Sequence, residues 1–190
     1  MLSQILQFLL NTLFGFFVFV LLARFYLQLL RAPFRNPLGQ FVTALTNWLV
    51  LPARRVIPGL FGLDLASLLL AWLLQALLLF LLYLLRGGGV PVAAGALLAL
   101  FLTLGLLEIV RSSLYLLIGV ILIQAVISWV NPYAPMAPLF NALAAPFLRP
   151  FRRLIPPIGN VDLSPLFALI AAQLLLIPLD YLERSVSVLS

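Results

Sequence analysis

Residues 65–85 have the sequence LASLLLAWLLQALLLFLLYLL and contain no charged side chain. A helix of about 20 apolar residues crosses the roughly 30 Å hydrocarbon core of a bilayer, so this stretch predicts a membrane-spanning helix. Residues 5–23 form a second uncharged apolar stretch, of 19 residues. Three further stretches, 90–107, 114–130 and 163–179, lie close to the minimum length for a span. We therefore expect an all-α integral membrane protein with four or five transmembrane helices.

The composition excludes most soluble classes and much of enzyme chemistry. Of the 190 residues, 65% are hydrophobic and 8% are charged, whereas a typical soluble domain has about 25% charged residues. The chain has no Cys and no His, which removes zinc clusters, thiol nucleophiles and imidazole acid–base groups. The five carboxylates are scattered and leave the hydroxyl groups without an evident general base. We predict a protein that is not an enzyme, with no catalytic residue, no metal and no cofactor.

An internal duplication is the strongest pattern in the chain. When the chain is shifted by 98 positions without a gap, residues 33–75 match residues 131–173 at 12 of 43 positions. The matches include Pro-x-Arg-Arg-x-Ile-Pro, at 52–58 and 150–156, and the Asp-Leu pair that opens each following span. Compositional bias matches Leu with Leu, but it does not readily align two prolines, an Arg pair and an Asp. Each half is therefore predicted to be a span, a basic amphipathic connection and a span.

The predicted units follow from this repeat. They are residues 1–85 for the first repeat, with spans 5–23 and 65–85 around connection 24–64; residues 86–107 for a hinge and an extra apolar helix; and residues 108–190 for the second repeat, with spans 114–130 and 163–179 around connection 131–162.

The second repeat carries a family resemblance. Residues 150–157 (PFRRLIPP), followed by Gly159 and by residues 161–165 (VDLSP), resemble the YggT family, also called the YGGT-domain or YlmG family. The two-copy layout and the Ser128-Trp129 pair fit it as well. The resemblance implies a multi-pass protein of the bacterial cytoplasmic (inner) membrane or of a plastid membrane. Members of this family have been linked to osmotic or ion homeostasis, to nucleoid and division organisation, and in chloroplasts to haem attachment on a cytochrome b6.

The distribution of arginine predicts the orientation. If both long connections face the cytoplasm, eight arginines lie inside, and Arg86 and Arg184 lie outside. The positive-inside rule favours this layout over an inverted one, which gives seven inside against four outside. Residues 90–130 must then cross only once, although 41 residues would reach about 60 Å as one helix. We expect part of this stretch to lie flat, re-enter or break, near Gly95 or Gly105.

Arginines of the two connections are the predicted lipid-binding or partner-binding residues: Arg54, Arg55, Arg149, Arg152 and Arg153. The last three share one face of a helical turn, and Leu148 and Phe151 occupy another. Pro146, Pro150 and Pro156 are expected to keep any helix short. A short amphipathic helix of this kind suits the headgroup layer of an anionic leaflet. Arginines that only snorkel and set the topology would give the same pattern.

Asp64 and Asp162 immediately precede apolar spans. A carboxylate there accepts hydrogen bonds from the free backbone N–H groups of the first turn, and Ser164 before Pro165 strengthens the cap in the second repeat. An ion pair is the other interpretation, joining Asp64 to Arg54 or Arg55 and Asp162 to Arg152 or Arg153. The sequence leaves the choice open.

Polar side chains within the spans are few, namely Asn11, Gln75, Gln124 and Gln173. Hydrocarbon cannot hydrogen-bond them, so they are expected to face protein. Gln75 and Gln173 occupy equivalent repeat positions, which allows either a hydrogen bond near a pseudo-symmetry axis or ordinary helix contacts. Glu108 and Arg111 lie three residues apart and are expected to pair locally, to mark a kink or to belong to an ion path.

Three functions are compatible with these patterns. The first is an assembly or scaffolding factor whose Arg-rich cytoplasmic connections engage anionic lipid or a protein partner. The second is a small ion transporter or channel component, suggested by the family resemblance and by the repeat. The third is a haem-handling assembly factor, for which only Met1 and Met136 offer soft ligands. The expected partners are membrane lipids, with other membrane proteins or a homo-oligomer also compatible, and no direct binding to nucleic acid is expected.

Overall fold

The computed structural model describes residues 1–57, 63–88, 94–155 and 162–188. These residues form six α-helices: α1 (Leu2–Leu29), α2 (Pro37–Val56), α3 (Leu65–Leu85), α4 (Ala94–Val130), α5 (Ala137–Leu154) and α6 (Ser164–Val188). Among the described residues, four helices, α1, α3, α4 and α6, are long and apolar enough to cross a membrane. The predicted all-α membrane fold is confirmed, with four candidate spans and not five.

The two shorter helices are amphipathic and begin at recognisable signals. Helix α2 starts at Pro37, after Asn36, whose side-chain oxygen accepts a hydrogen bond from the backbone N–H of Gly39 at 2.8 Å. Its buried residues Val42, Thr46 and Val50 recur every four positions and form one face. Helix α5 buries Leu139, Leu143, Ala144 and Leu148 in the same way. Each of the two helices therefore packs one apolar face against the other helices and leaves its opposite face exposed.

The spans pack in chain order, α1 against α3, α3 against α4 and α4 against α6. A buried cluster joins Leu27 of α1 and Ile121 of α4 to Val42 of α2 and Leu143 of α5. Because α2 and α5 contribute to the same cluster, both lie at one end of the helix bundle. If each of the four candidate spans crosses a membrane once, α2 and α5 lie on the same side of it.

The predicted break near Gly95 or Gly105 is wrong. Residues 94–130 form one continuous helix, so residues 94–107 are the first part of α4 and not a separate apolar helix. Gly105 lies where α3 and α4 cross, and a Cβ atom there would be 3.2 Å from the backbone nitrogen of Ala76. Glycine at this position allows the two helices to approach closely, and it does not interrupt α4.

The expectation that Pro146 and Pro150 keep the helix of the second connection short is also wrong. Helix α5 contains Pro146 and Pro150 within its 18 residues, and α2 contains Pro52. All three side chains are exposed. The rings therefore lie on the outer face, where water and headgroups can replace the backbone hydrogen bonds that proline removes.

The ends of the spans differ from the uncharged stretches. Helix α1 continues past Arg24 to Leu29, and α6 continues past Leu179 through Asp180 and Glu183. These charged side chains are paired, as described below, so they do not end the helices. Several residues of the motifs lie outside the described residues, namely Pro58, Gly59, Gly89, Pro156, Pro157, Gly159 and Val161.

Candidate functional site

Asp64, immediately before α3, is the centre of a buried polar cluster in the first repeat. Its side chain is 1% exposed. The Oδ2 atom accepts hydrogen bonds from Arg54 Nη2 at 2.7 Å, from Ser67 Oγ at 2.7 Å and from Arg24 Nε at 3.2 Å. The Oδ1 atom accepts from Arg54 Nε at 3.2 Å and from the backbone N–H of Ser67 at 3.4 Å. Asp64 therefore caps α3 and forms ion pairs at the same time.

Arg24 joins this cluster from within α1, although it follows an apolar stretch. It is 4% exposed. Besides Asp64, its Nη1 atom donates to Thr46 Oγ1 at 2.6 Å and to Asn47 Oδ1 at 2.9 Å, both on α2. A buried guanidinium is costly unless its charge is paired and its N–H groups are satisfied. Here one arginine connects α1, α2 and the start of α3.

The surroundings of Asp64 act in both directions on its pKa. Burial alone would raise the pKa of the carboxyl, but hydrogen bonds from Arg54 and Ser67 and the positive charges of Arg54 and Arg24 outweigh it, so the pKa lies below its usual value of 3.8. The carboxylate is therefore ionised at neutral pH. Arg54 also donates to Gln28 Oε1 at 3.2 Å, which ties it to α1 as well.

The second repeat forms a simpler and more exposed version of this site. Arg152 Nε donates to Asp162 Oδ2 at 2.8 Å, and Asp162 Oδ1 accepts from the backbone N–H of Ser164 at 2.9 Å and from its hydroxyl at 2.5 Å. The exposed fractions are 42% for Arg152 and 28% for Asp162. Burial would raise the pKa of Asp162, but the bonds from Ser164 and Arg152 outweigh it and lower the pKa. In both repeats, the aspartate combines the cap and the ion pair that the sequence left as alternatives.

The remaining arginines of the predicted set are exposed. Arg55, Arg149 and Arg153 form no ion pair with any residue that the structure describes. Arg55 and Arg153 occupy equivalent repeat positions, directly after Arg54 and Arg152. In each repeat the first arginine of the pair binds the aspartate and the second points outward.

The polar residues of the spans differ in burial within the chain. Gln75 and Gln124 are buried, and Gln124 Nε2 donates to Asn141 Oδ1 at 3.1 Å. Asn11 and Gln173 are exposed, so within one copy of the chain no described helix covers them. The structure does not bring Gln75 and Gln173 together, because α3 packs between α1 and α4 whereas α6 packs on α4 and α5.

Glu108 and Arg111 belong to a second charged cluster, between α4 and α6. Arg111 Nη1 contacts Glu108 Oε1 at 3.1 Å, and Arg111 Nη2 contacts Asp180 Oδ1 at 2.5 Å and also Glu183. The pair is local, as one of the expectations had it, and it lies within the continuous helix α4. Arg111 is thus held by three carboxylates, two of which come from the neighbouring span.

Sequence reasoning missed several members of these clusters: Arg24, Thr46, Asn47, Asp180 and Glu183. A signal existed for two of these contacts. Apart from Gln28, the sequence after Arg24 stays apolar to Leu30, which indicates that the helix continues through it. Asp180 and Glu183 have the same spacing of three as Glu108 and Arg111, which places both pairs on single helix faces. Thr46 and Asn47 gave no such signal. Within the described part of the chain, no group of three or more acidic side chains is arranged to hold a metal ion.

Comparisons with known proteins agree with the repeat. The family model CCB3/YggT matches residues 3–85 and 103–182, two separate segments that correspond to the two repeats. The chain is 41% identical to an uncharacterized protein of Pseudomonas aeruginosa over 170 residues, which cover 88% of this chain and 84% of the relative. It is 39% identical to an uncharacterized protein of Vibrio alginolyticus over 170 residues, with 88% and 89% covered. It is 36% identical to the uncharacterized protein YggT of Escherichia coli K12 over 162 residues, with 85% and 81% covered. No solved structure matches the chain.

Proposed function

The chain belongs to the CCB3/YggT family, and we propose that it is a non-enzymatic scaffold that uses its two amphipathic helices to engage the anionic cytoplasmic leaflet of a bacterial inner membrane. The proposal rests on the observation that the two arginines of each Arg pair have different contacts. Arg54 and Arg152 bind the aspartates that open the next spans, and Arg55 and Arg153 remain exposed. The repeated motif thus fixes a connection in place and presents one cation from it.

The surroundings of the exposed arginines support an interfacial location. Trp48 and Leu51 on α2 and Leu154 on α5 are more than half exposed, on helices whose opposite faces are buried. Exposed apolar side chains beside cations are unfavourable in water, but they suit the boundary between headgroups and acyl chains. Because α2 and α5 share a buried cluster, their arginines lie at one end of the bundle.

The leaflet is chosen by the charge distribution. The end of the bundle at α2 and α5 carries eight arginines, five between residues 24 and 55 and three between 149 and 153, and the opposite end has Arg86 after α3 and Arg184 late in α6. The positive-inside rule assigns the richer end to the cytoplasm. Anionic lipids of that leaflet attract each nearby arginine by about 1 kcal/mol.

Lipid retention in purified protein tests the proposal. We expect Arg55→Gln/Arg153→Gln to reduce the phosphatidylglycerol that co-purifies in mild detergent, relative to phosphatidylethanolamine, by native mass spectrometry. Removing two interfacial cations weakens attraction to an anionic leaflet by up to about 2 kcal/mol, roughly 30-fold in affinity. Neither arginine holds an aspartate, so the fold is expected to persist.

The control is Arg86→Gln/Arg184→Gln, which removes the same charge from the other end of the spans. It is expected to retain wild-type enrichment of phosphatidylglycerol. Equal enrichment in the wild type and the Arg55/Arg153 variant would contradict an anionic-lipid scaffold. Ion flux through proteoliposomes of purified protein would favour the transporter hypothesis instead.

A further inference from the structure

One face of α3 is covered by α4 along its length. The Trp72 indole Nε1 donates to the backbone carbonyl of Leu102 at 2.8 Å. One turn later Ala76 lies against Gly105, where a Cβ atom on the glycine would be 3.2 Å from the backbone nitrogen of Ala76. At the next turn the rings of Phe80 and Phe101 pack edge to face, with centroids 5.8 Å apart. This interface joins the second span of one repeat to the first span of the next.

The equivalent face of α6 is open. The residues 98 positions after Trp72, Gln75 and Ala76 are Ile170, Gln173 and Leu174. Ile170 is 47% exposed and Leu174 is 58% exposed, and Gln173 is exposed as well. No helix of the described ranges covers them. The face that α3 hides behind α4 is therefore a bare surface on α6, with an amide facing the lipid.

The complementary face is open on α1. The α4 residues that contact α3 correspond, 98 positions earlier, to polar residues: Ser3 for Phe101, Gln4 for Leu102, Gln7 for Gly105 and Asn11 for Ile109. Ser3, Gln4 and Asn11 are exposed and Gln7 is half-buried. Amides that face hydrocarbon are unfavourable unless another protein group accepts and donates their hydrogen bonds. Four of the polar side chains in the first half of α1, Ser3, Gln4, Gln7 and Asn11, therefore share the face that the repeat marks as an interface.

We propose that copies of this protein associate head to tail in the membrane, with α1 of one copy packed on α6 of the next as α4 packs on α3. The repeat shift places Gln7 opposite Leu174, directly beside Gln173. The exposed amides of the two helices then satisfy each other across the interface. Gln7 and Leu174 are larger than Gly105 and Ala76, so the two helix axes would lie further apart than those of α3 and α4. Such a heterologous contact builds a ring or an open chain of subunits.

Thiol crosslinking tests this pairing directly, because the chain has no cysteine of its own. Gln7→Cys and Leu174→Cys are placed in separate, differently tagged copies and co-expressed, and membranes are treated with a short bifunctional thiol reagent. We expect a crosslinked product that carries both tags. Leu9→Cys with Leu174→Cys is the matched control, since Leu9 is 55% exposed and lies on another face of α1 at similar depth. It is expected to give at least fivefold less product.

Other products would overturn the proposal. Dimers of Gln7→Cys alone would indicate a symmetric contact through α1. A chain that carries both cysteines and crosslinks only within itself would show that α6 closes on its own α1. Gln173→Leu added to Leu174→Cys checks the amide contact and is expected to lower the mixed product at least threefold. An unchanged yield would mean that Gln173 takes no part.

Discussion

The two aspartates that open α3 and α6 occupy equivalent positions in the repeat but have different surroundings. Asp64 is 1% exposed and binds two arginines, whereas Asp162 is 28% exposed and binds one. The difference originates on the neighbouring helices. Leu122 and Ala144 of the second repeat stand where the first has Arg24 and Thr46. The same motif thus forms a buried ion-pair cluster that connects α1, α2 and α3 in the first repeat. In the second repeat it forms a single, partly exposed ion pair.

This comparison separates what the motif does from what its context does. The motif supplies an arginine, an aspartate and a cap in both repeats. The buried ion-pair cluster needs Arg24, a residue outside the motif, to bring the charge of α1 to the carboxylate. We infer that the first repeat holds the bundle together and that the second leaves its amphipathic helix more accessible.

The largest expected effect is on stability, and it is expected to be larger for substitution of Asp64 than for substitution of Asp162. Asp64→Asn leaves the buried guanidinium of Arg24 without a counter-charge, and loss of one partner of a buried pair costs about 3–5 kcal/mol. Asp162→Asn leaves Arg152 at the surface, where an ion pair is worth about 1 kcal/mol or less. Unfolding by SDS in mixed micelles measures both. Equal losses in the free energy of unfolding would contradict the difference in burial between the ion pairs of Asp64 and Asp162.

A second comparison concerns the covered face of α3. Gly105→Ala introduces a Cβ atom 3.2 Å from the backbone of Ala76, and overpacking of this kind costs about 1–3 kcal/mol. Gly119→Ala on the same helix is the control, because a Cβ there meets nothing within 4 Å. The same unfolding assay is expected to show a loss for the first and no loss for the second. If both variants match the wild type, α3 and α4 do not pack closely at Gly105.

The smallest expected effect is on pH dependence. Both aspartates have a pKa below the usual 3.8 in the folded protein. A lowered folded-state pKa contributes stability that is complete above the unfolded-state pKa and is lost as the pH falls through the folded-state value. Stability is therefore expected to be flat from pH 7 to about 5 and to fall below about pH 4. Asp162→Asn is expected to reduce slightly the loss of stability below about pH 4. A decline in stability between pH 7 and 5 would contradict the lowered pKa values of the two aspartates.

Length and hydropathy were sufficient to predict the span Leu65–Leu85. The repeat gave the pairing of Asp64 with Arg54 or Arg55, and of Asp162 with Arg152 or Arg153, only as one of two interpretations, and the structure selects Arg54 and Arg152. Charge was a poor guide to where helices end. Arg24 and Asp180 lie inside helices because partners on other elements satisfy them, and a partner far away in sequence leaves no local pattern. Gly105 was expected to break the helix, but it lies in the contact between α3 and α4 and permits close packing there. The local sequence does not show the partner helix, and that partner decides which role a glycine has.

The most direct measurement is cysteine accessibility on this cysteine-free chain. Arg35→Cys, Tyr133→Cys and Arg86→Cys place single thiols at exposed sites in the first connection, in the second connection and after α3. With a membrane-impermeant maleimide, we expect Arg86→Cys to be labelled in intact cells, and the other two to be labelled only after the membrane is opened. Labelling of Tyr133→Cys from outside, while Arg35→Cys stays protected, would place the two amphipathic helices on opposite leaflets and contradict the shared cytoplasmic surface.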